Sequence, residues 1–502
     1  KRFLPFHGGK AVLVPAMSVG IDDVPPGRHH AAGCCRIGSL EAAIFIVWLF
    51  LNLANIILIV FLFVWRCLKA VCYFLVDCVR GPPKQIEVVV VGASFGGLAV
   101  RQMLAGRRDV SLTLVDFKNY FEYTPGVLRC FIDPSYLRSI TCPLPQNGNK
   151  VVLGELADVS TETICIKQTD GSKRVLNFDY LVLACGSTYQ QPIKPVVAES
   201  SQEQRSESWQ QAHNVLKTAE RVIVVGGGAV GVELIGEILT KFPDKSVILA
   251  DRNLTILPGF GPKSKDHAQR WMRRMNVELR LGQPISEIGS DFITLGGGEQ
   301  LQADVVYKCV GVLPNTAMVK NVPEFRDDLG FRDSLIVNDH LQVGTFPNIF
   351  CIGDMMTHRS KEIKLGHTAE LNGHAAAHNI VALAQGKKLM RYPEELVGGA
   401  LTPKLYALSL GRYDACLGFN WLEISGWFAA LMKWLLEWTK VSAAADQPVG
   451  VFFWIIADAV SLFLGRTCIK SREATESTGT GTPLPTKEPA TPEGAPLLVS
   501  TS

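Results

Sequence analysis

The chain has little net charge to offer a partner: 50 Lys and Arg stand against 47 Asp and Glu, a formal net of +3. That balance leaves no electrostatic footprint for nucleic acid. Metal-site spacing is missing too. Thirteen cysteines are scattered without zinc-type pairs, and the odd number argues against a complete disulfide framework. They suit a reducing compartment, and no metal is expected. Charge is absent altogether from Ala42 to Trp65, about 36 Å as a helix and enough to cross a hydrocarbon core of about 30 Å. A secretory leader would have a shorter apolar core nearer the start. Aromatic residues are missing from Ser471 to Ser502, a stretch rich in Thr, Pro, Gly and Glu that is expected to be a disordered tail.

What is present is dominated by two glycine-rich fingerprints. Val88-Val89-Val90-Val91 runs into Gly92-Ala93-Ser94-Phe95-Gly96-Gly97, and Val222-Ile223-Val224-Val225 into Gly226-Gly227-Gly228-Ala229-Val230-Gly231. Each is a β-branched run that reads as a buried parallel strand, breaks into glycines and continues as a helical pattern. The glycines permit a tight turn, let backbone approach a pyrophosphate, and aim helix N-terminal amides at its charge. An acid follows each fingerprint at the end of a second apolar run, Asp116 after the first and Asp251 after the second, at the spacing that lets a carboxylate hold a ribose diol. Two complete fingerprints imply two dinucleotides, most economically a resident FAD and a visiting NAD(P)H. The bland alternative, two glycine turns followed by chance acids, leaves the repeated spacing unexplained.

A third element sets the order. Asn348-Ile349-Phe350-Cys351-Ile352 ends in Gly353-Asp354, and with Tyr180-Leu181-Val182-Leu183-Ala184-Cys185-Gly186-Ser187 it resembles the pyridine nucleotide–disulfide oxidoreductase superfamily. The resemblance implies an α/β fold of two Rossmann-like domains, the NAD(P)H domain inserted in the FAD domain, with Asp354 on the flavin ribityl chain. Asp116-Phe117-Lys118-Asn119-Tyr120-Phe121 followed by Leu128-Arg129 resembles apoptosis-inducing-factor-like flavoproteins. The branch containing ferroptosis suppressor protein is the nearest, with Gly398 to Thr402 and Leu408 to Arg412 similar to its C-terminal segment; type II NADH dehydrogenases are more distant. The resemblance covers roughly Ile86 to Lys440. It places Gly92, Ser94, Gly96, Gly97, Asp116, Lys118, Arg129, Gly353 and Asp354 at FAD. It places Gly226, Gly228, Gly231, Glu233, Asp251 and Arg252 at NAD(P)H.

Two positions depart from the pattern. Ser94 stands where a second glycine is expected, a small side chain able to donate to the pyrophosphate. Cys185 replaces a threonine and removes a hydroxyl near the cofactor. The disulfide reductases of the superfamily carry Cys-x4-Cys after the first ribose acid, where this chain has only Cys130 and Cys142, too far apart. Cys67 and Cys72 have that spacing but precede the first fingerprint in an apolar run. Electrons are therefore expected to leave the flavin directly for an outside acceptor.

The expected organisation is a leader over 1–38, a membrane-embedded helical region over 39–81, and an FAD domain over 85–219 that resumes over 339–391. An NAD(P)H domain spans 220–338, a membrane-facing region 392–470, and the tail 471–502. Asn52 and Asn55 are unwelcome in lipid and are expected to face a partner helix. The polar stretch Glu199 to Glu207 reads as a surface loop. Gly311 to Thr316 resembles the return crossover. Trp421 to Lys440 repeats Trp427, Leu431, Trp434, Leu435 and Trp438 at near-helical spacing, an amphipathic helix suited to a bilayer interface or else to a domain or homodimer contact. Val449 to Leu464 reads as a membrane-dipping run. Lysines and arginines flank the Ala42–Trp65 run on both sides, so orientation stays open; only a reducing compartment, cytosol or organelle matrix, is implied for the nucleotide domains.

The functional expectation is a membrane-associated FAD enzyme that oxidises NADH, or NADPH, and reduces a lipophilic quinone-type acceptor. Glu233 is the preferred catalytic-site side chain: in similar families the matching Glu reaches the nicotinamide, although an acid in a first helical turn is also favoured by the macrodipole alone. Asp251 favours NADH, while adjacent Arg252 offers a guanidinium that could bind a 2′-phosphate. Two alternatives stay open: a reductase of a soluble acceptor such as monodehydroascorbate, and an NADH-sensing scaffold or death effector with slow turnover.

Overall fold

A computed structural model describes residues 42–62, 64–65, 68, 83–189, 192–320 and 322–467. The leader, the tail, and the Cys67 and Cys72 pair lie outside the described residues.

The first fingerprint run forms β1 (Ile86–Val91), the middle strand of a five-stranded parallel sheet. On one side lie β2 (Val110–Asp116) and β3 (Lys150–Leu153); on the other lie β4 (Tyr180–Leu183) and, outermost, β9 (Ile349–Cys351). β9 enters this sheet only after the chain has built a second one. There β5 (Arg221–Val225) is flanked by β6 (Ser246–Asp251) and β8 (Val305–Lys308), with β7 (Glu278–Leu281) at the edge, all parallel. Both sheets are buried on both faces, which is why their strands are nearly continuous Val, Ile and Leu rather than alternating. The two excursions are tied where Ser187–Thr188 pairs antiparallel with Leu313–Pro314.

Helix α2 (Phe95–Leu104) follows the first glycine turn and crosses α6 (Gly366–Ala384) closely. A side-chain carbon added at Gly373 would come within 2.5 Å of the Gly96 carbonyl. Helix α4 (Ala229–Lys241) follows the second turn, and α5 (Pro262–Arg274) lies between β6 and β7.

The stretch 199–207 is not a surface loop. Ser201 and Gln204 form a capping box that starts α3 (Gln202–Thr218). Arg205, one turn in, has no exposed surface and binds Glu122 at 2.7 Å and Glu199 at 3.1 Å. Its charges are hidden by partners from other elements, so composition alone reads as solvated.

Beyond the second pass through the first sheet come three antiparallel strands, β10 (Leu405–Ser409), β11 (Ala415–Phe419) and β12 (Leu422–Ser425). The last of these takes residues expected to open an amphipathic helix. The helix, α7, starts only at Trp427, after Gly426 at φ 100°, and ends at Ala444. Its polarity is reversed for a surface helix: Lys433 and Glu437 are buried, while Trp427 and Phe428 are exposed.

Among the described residues, two helices are long and apolar enough to cross a membrane: α1 (Ala42–Leu62) and α8 (Pro448–Thr467). They meet α7 through Trp48, Leu51, Ala54 and Leu58 on α1, Trp434 and Trp438 on α7, and Val449 on α8. Asn55 faces this contact and accepts from the Val449 N–H at 3.2 Å, satisfying a free amide at the start of α8. The Asn52 amide donates to the Trp48 carbonyl of its own helix at 2.8 Å.

Candidate flavin and pyridine-nucleotide sites

The two glycine turns fold alike. Gly92 and Gly226 adopt φ 108° and 110°, and at each an added side-chain carbon would lie within 2.3 Å of a carbonyl from the neighbouring strand end, Ala184 or Cys309. Only glycine fits such a turn. Gly97 and Gly231 close onto the Gly92 and Gly226 carbonyls, within 2.0 Å for a hypothetical side chain, so helix and strand touch through bare backbone. Gly96 is hemmed by Ile352 and the Ala369 carbonyl. Gly228 differs: a carbon added there meets nothing within 4 Å. Ser94 occupies the corresponding place in the first turn, and its hydroxyl makes no helix-capping bond. At Gly228 the second turn therefore presents open space at the N-terminus of its helix, where amides and the dipole favour an anion.

Both acids end their strands and are buried. Asp116 accepts from the Ala93 N–H at 2.6 Å and from the Lys118 N–H at 3.0 Å, with the Lys118 ammonium 3.2 Å away. Asp251 accepts from the Gly227 N–H at 2.5 Å and from the Asn253 N–H at 2.7 Å. Asn253 thus stands where Lys118 does in the first turn, and its side-chain amide donates to Asp251 at 2.8 Å. Arg252, next to Asp251, is exposed.

Gly353 and Asp354 follow Ile352, which lies against Gly96 of the first turn. Gly353 has φ 71°, and its N–H donates to the Asn372 side chain at 3.0 Å. Asp354 accepts from the Ser187 hydroxyl at 2.5 Å and the Lys194 ammonium at 3.0 Å. Burial works against its charge, but Lys194, Ser187 and Lys364 outweigh that and hold the carboxyl below the usual carboxylate range. Nothing in the sequence pattern singles out Lys194, which reaches Asp354 across 160 residues, or Lys364, which donates to the Gly353 carbonyl at 3.0 Å. Cys185 donates its N–H to the Met355 sulfur at 3.1 Å, and burial pushes its thiol up to about 12.

Two of the expected ligands are engaged by other side chains, Glu233 by the C-terminal region and Arg129 by Glu237 and Tyr136. The Glu233 carboxylate accepts from the Ser409 N–H at 2.6 Å and its hydroxyl at 3.1 Å, and pairs with Lys433 of α7. Arg129 binds both oxygens of Glu237 at 3.2 Å and stacks 4.8 Å from the Tyr136 ring. Tyr136 in turn donates to Glu437 of α7. Burial pushes the Glu437 carboxyl up, against the pull of Arg129, Tyr136 and Lys433.

The whole span from β1 into α6, residues 86–373, matches the family of pyridine nucleotide-disulphide oxidoreductases. The chain belongs to this family. It is a flavin-dependent NAD(P)H oxidoreductase with the fold of that family. Apoptosis-inducing factor homolog B of Dictyostelium discoideum is 28% identical over 373 residues, covering 69% of this chain and 92% of its own length. Human ferroptosis suppressor protein 1 is 28% identical over 350 residues, covering 66% and 87%. Among solved structures, NDH2 from Plasmodium falciparum in complex with NADH shares the fold with a TM-score of 0.58 at 13% identity, over 77% of this chain and 99% of that one. The sulfide:quinone oxidoreductase of Aquifex aeolicus does so with a TM-score of 0.60 at 17% identity, over 77% and 96%.

Proposed function

We propose that this oxidoreductase is membrane-associated, holds FAD in the first turn, takes NADH in the second, and passes electrons to a lipophilic quinone-type acceptor. The observation that carries the reading is the pairing of two complete dinucleotide cradles with an apolar outer surface on α1, α7 and α8. The first cradle suits FAD: Ser94, whose hydroxyl makes no cap bond, and the α2 amides stand where a pyrophosphate would bind, Asp116 can accept from ribose hydroxyls, and Asp354 is an ionised acceptor suited to a ribityl chain. Flavin bound there supplies hydride acceptance and electron transfer, chemistry that no side chain provides. The protein's part is to place the nicotinamide, exclude water and carry protons. The second cradle suits NADH because the buried Asp251 carboxylate accepts hydrogen bonds and repels a 2′-phosphate. A lipophilic acceptor is supported by the exposed Trp427, Phe428, Phe452, Ile455 and Ile456, and by relatives that include a sulfide:quinone oxidoreductase.

The test is to purify the full chain in detergent, identify the flavin it releases on denaturation, and follow NADH and NADPH oxidation with ubiquinone, menaquinone-type and water-soluble quinone analogues. Fast turnover with a quinone supports the proposal. A long-lived charge-transfer complex without turnover overturns it in favour of an NADH-responsive scaffold, and turnover only with monodehydroascorbate overturns the quinone assignment.

A further inference from the structure

Away from the nucleotide turns, α6 carries ionisable side chains along one stripe. His367, Glu370 and His374 recur at i, i+3 and i+7, the spacing that stacks side chains on one helix face. The two helices packed on that stripe each add a group. Lys440 of α7 donates to both Glu370 oxygens at 2.6 Å and lies 3.2 Å from the centre of the Trp454 ring. Asp458 of α8 lines one partly open cleft together with Glu370, His374, Lys440 and Phe95.

The inner end of this row touches the first cradle. A side chain added at Gly366 would meet the Phe95 ring at 3.1 Å, and one at Gly96 would meet the Ala369 carbonyl at 3.1 Å. Between them sits His367, both ring nitrogens buried and without a hydrogen-bond partner among the described residues. The outer end is Asp458, midway along α8, whose other face exposes Phe452, Ile455, Ile456 and Phe463.

A phosphate or anionic headgroup does not suit the cleft. Lys440 is matched by Glu370, and the other cation on the wall, Arg101, by Asp446 at 2.6 Å; Asp458 adds a further negative charge. A purely structural ion pair explains neither the orphaned imidazole nor an acid placed in a helix apolar enough to span a bilayer, where an ionisable residue is costly unless it is used.

We propose that His367, Glu370 and His374, with Lys440 and Asp458, form a proton-transfer file running from membrane-facing α8 to the first cradle. It rests on the quinone reading above. Reducing a quinone with NADH consumes one proton: NADH, one H⁺ and quinone become NAD⁺ and quinol, the hydride bringing two electrons and one hydrogen, and the second hydrogen arriving from outside. In the file, protons enter at Asp458 and His374, pass to Glu370, and reach the cradle through His367, whose neutral ring takes a proton at one nitrogen as it releases one from the other. Burial pushes the Glu370 carboxyl up, against the pull of Lys440. Burial lowers both histidines, with Lys440 adding to this and Asp458 opposing it at His374; His367 falls to about 3. The imidazoles are therefore neutral at physiological pH, free to relay rather than to trap a proton.

The test uses the full-length detergent-purified protein and the variants Asp458→Asn, His374→Asn and the double variant Glu370→Gln/Lys440→Met, which removes both charges of the pair together. Reduction of two ferricyanide ions by one NADH releases a proton instead of consuming one, so the ratio of quinone to ferricyanide rates isolates proton delivery. The ratio is expected to fall at least about tenfold in each variant, with a larger solvent deuterium effect on the quinone rate. As an independent readout, a hydrophobic carbodiimide, which attacks a buried carboxyl while it carries a proton, should label Glu370 or Asp458 during quinone turnover, when the file is passing protons, as read by peptide mass. Variants with intact flavin content and melting temperature but an unchanged ratio would overturn the file, as would absence of label at both carboxyls. Protein that purifies without flavin would overturn the quinone reading and the file with it.

Discussion

Asp116 and Asp251 each serve the fold before any ligand arrives. One carboxylate oxygen holds the amide after the first glycine, at 2.6 and 2.5 Å, and the other holds an amide two residues downstream. Removing either acid therefore loosens its own turn and, on the proposed reading, removes a ribose contact as well. Asp116→Ala and Asp354→Ala should each weaken flavin retention by about 1.5–3 kcal/mol, the range for hydrogen bonds to charged groups. Flavin absorbance after gel filtration reads this directly, and full retention in both variants would remove the basis for placing flavin in the first cradle. For the second cradle we expect NADH to be preferred over NADPH by a modest margin in kcat/KM, with Asp251→Ala narrowing or reversing it. Arg252 is exposed and adjacent, so a wild-type enzyme at least as efficient with NADPH would identify Arg252 as the discriminating residue.

Among the elements, α7 departs most from what its sequence suggests. Its charged residues turn inward to Glu233, Tyr136 and Glu370, while its tryptophans face α1, α8 or the outside. This links the helix after the second fingerprint to the C-terminal helices through the Glu233–Lys433 pair. Glu233→Gln should weaken NADH use while leaving flavin content intact, and should lower the melting temperature because Lys433 keeps a buried charge with a weaker partner. Glu233→Gln/Lys433→Met should recover the melting temperature without recovering NADH use. Recovery of both would mean that Glu233 serves α7 alone. In α3, Arg205 answers to two acids with no exposed surface. Arg205→Ala strands both carboxylates, so denaturant unfolding should show a loss of about 3–5 kcal/mol.

For the molecule as a whole, the nucleotide cradles and the apolar helices occupy separate parts of the chain, joined through α7. Deleting the residues before Gln85 removes α1 but leaves α8 and both cradles. Some protein should leave the membrane fraction, while NADH oxidation with a water-soluble quinone persists. A truncated protein that keeps its flavin but is inactive toward soluble acceptors would show that α1 contributes to the site.

The readable part of this protein is the part governed by neighbours in the chain. A β-branched run, a glycine that alone tolerates φ near 110°, and an acid at a strand end are settled by local sterics and a few bonds within one β–α–β unit, so both glycine turns and the acid that braces each were legible. The apolar lengths of α1 and α8 were legible for the same reason, since helix length and composition are properties of the segment itself. The identity of the partners was not. Whether Arg205 meets solvent or Glu122, whether Lys194 meets Asp354, and which face of α7 turns inward depend on surfaces brought together from 83 to 200 residues away. A charge can be buried only when its counter-charge arrives with it, and that pairing exists only once the sheets, α6 and the C-terminal helices have packed.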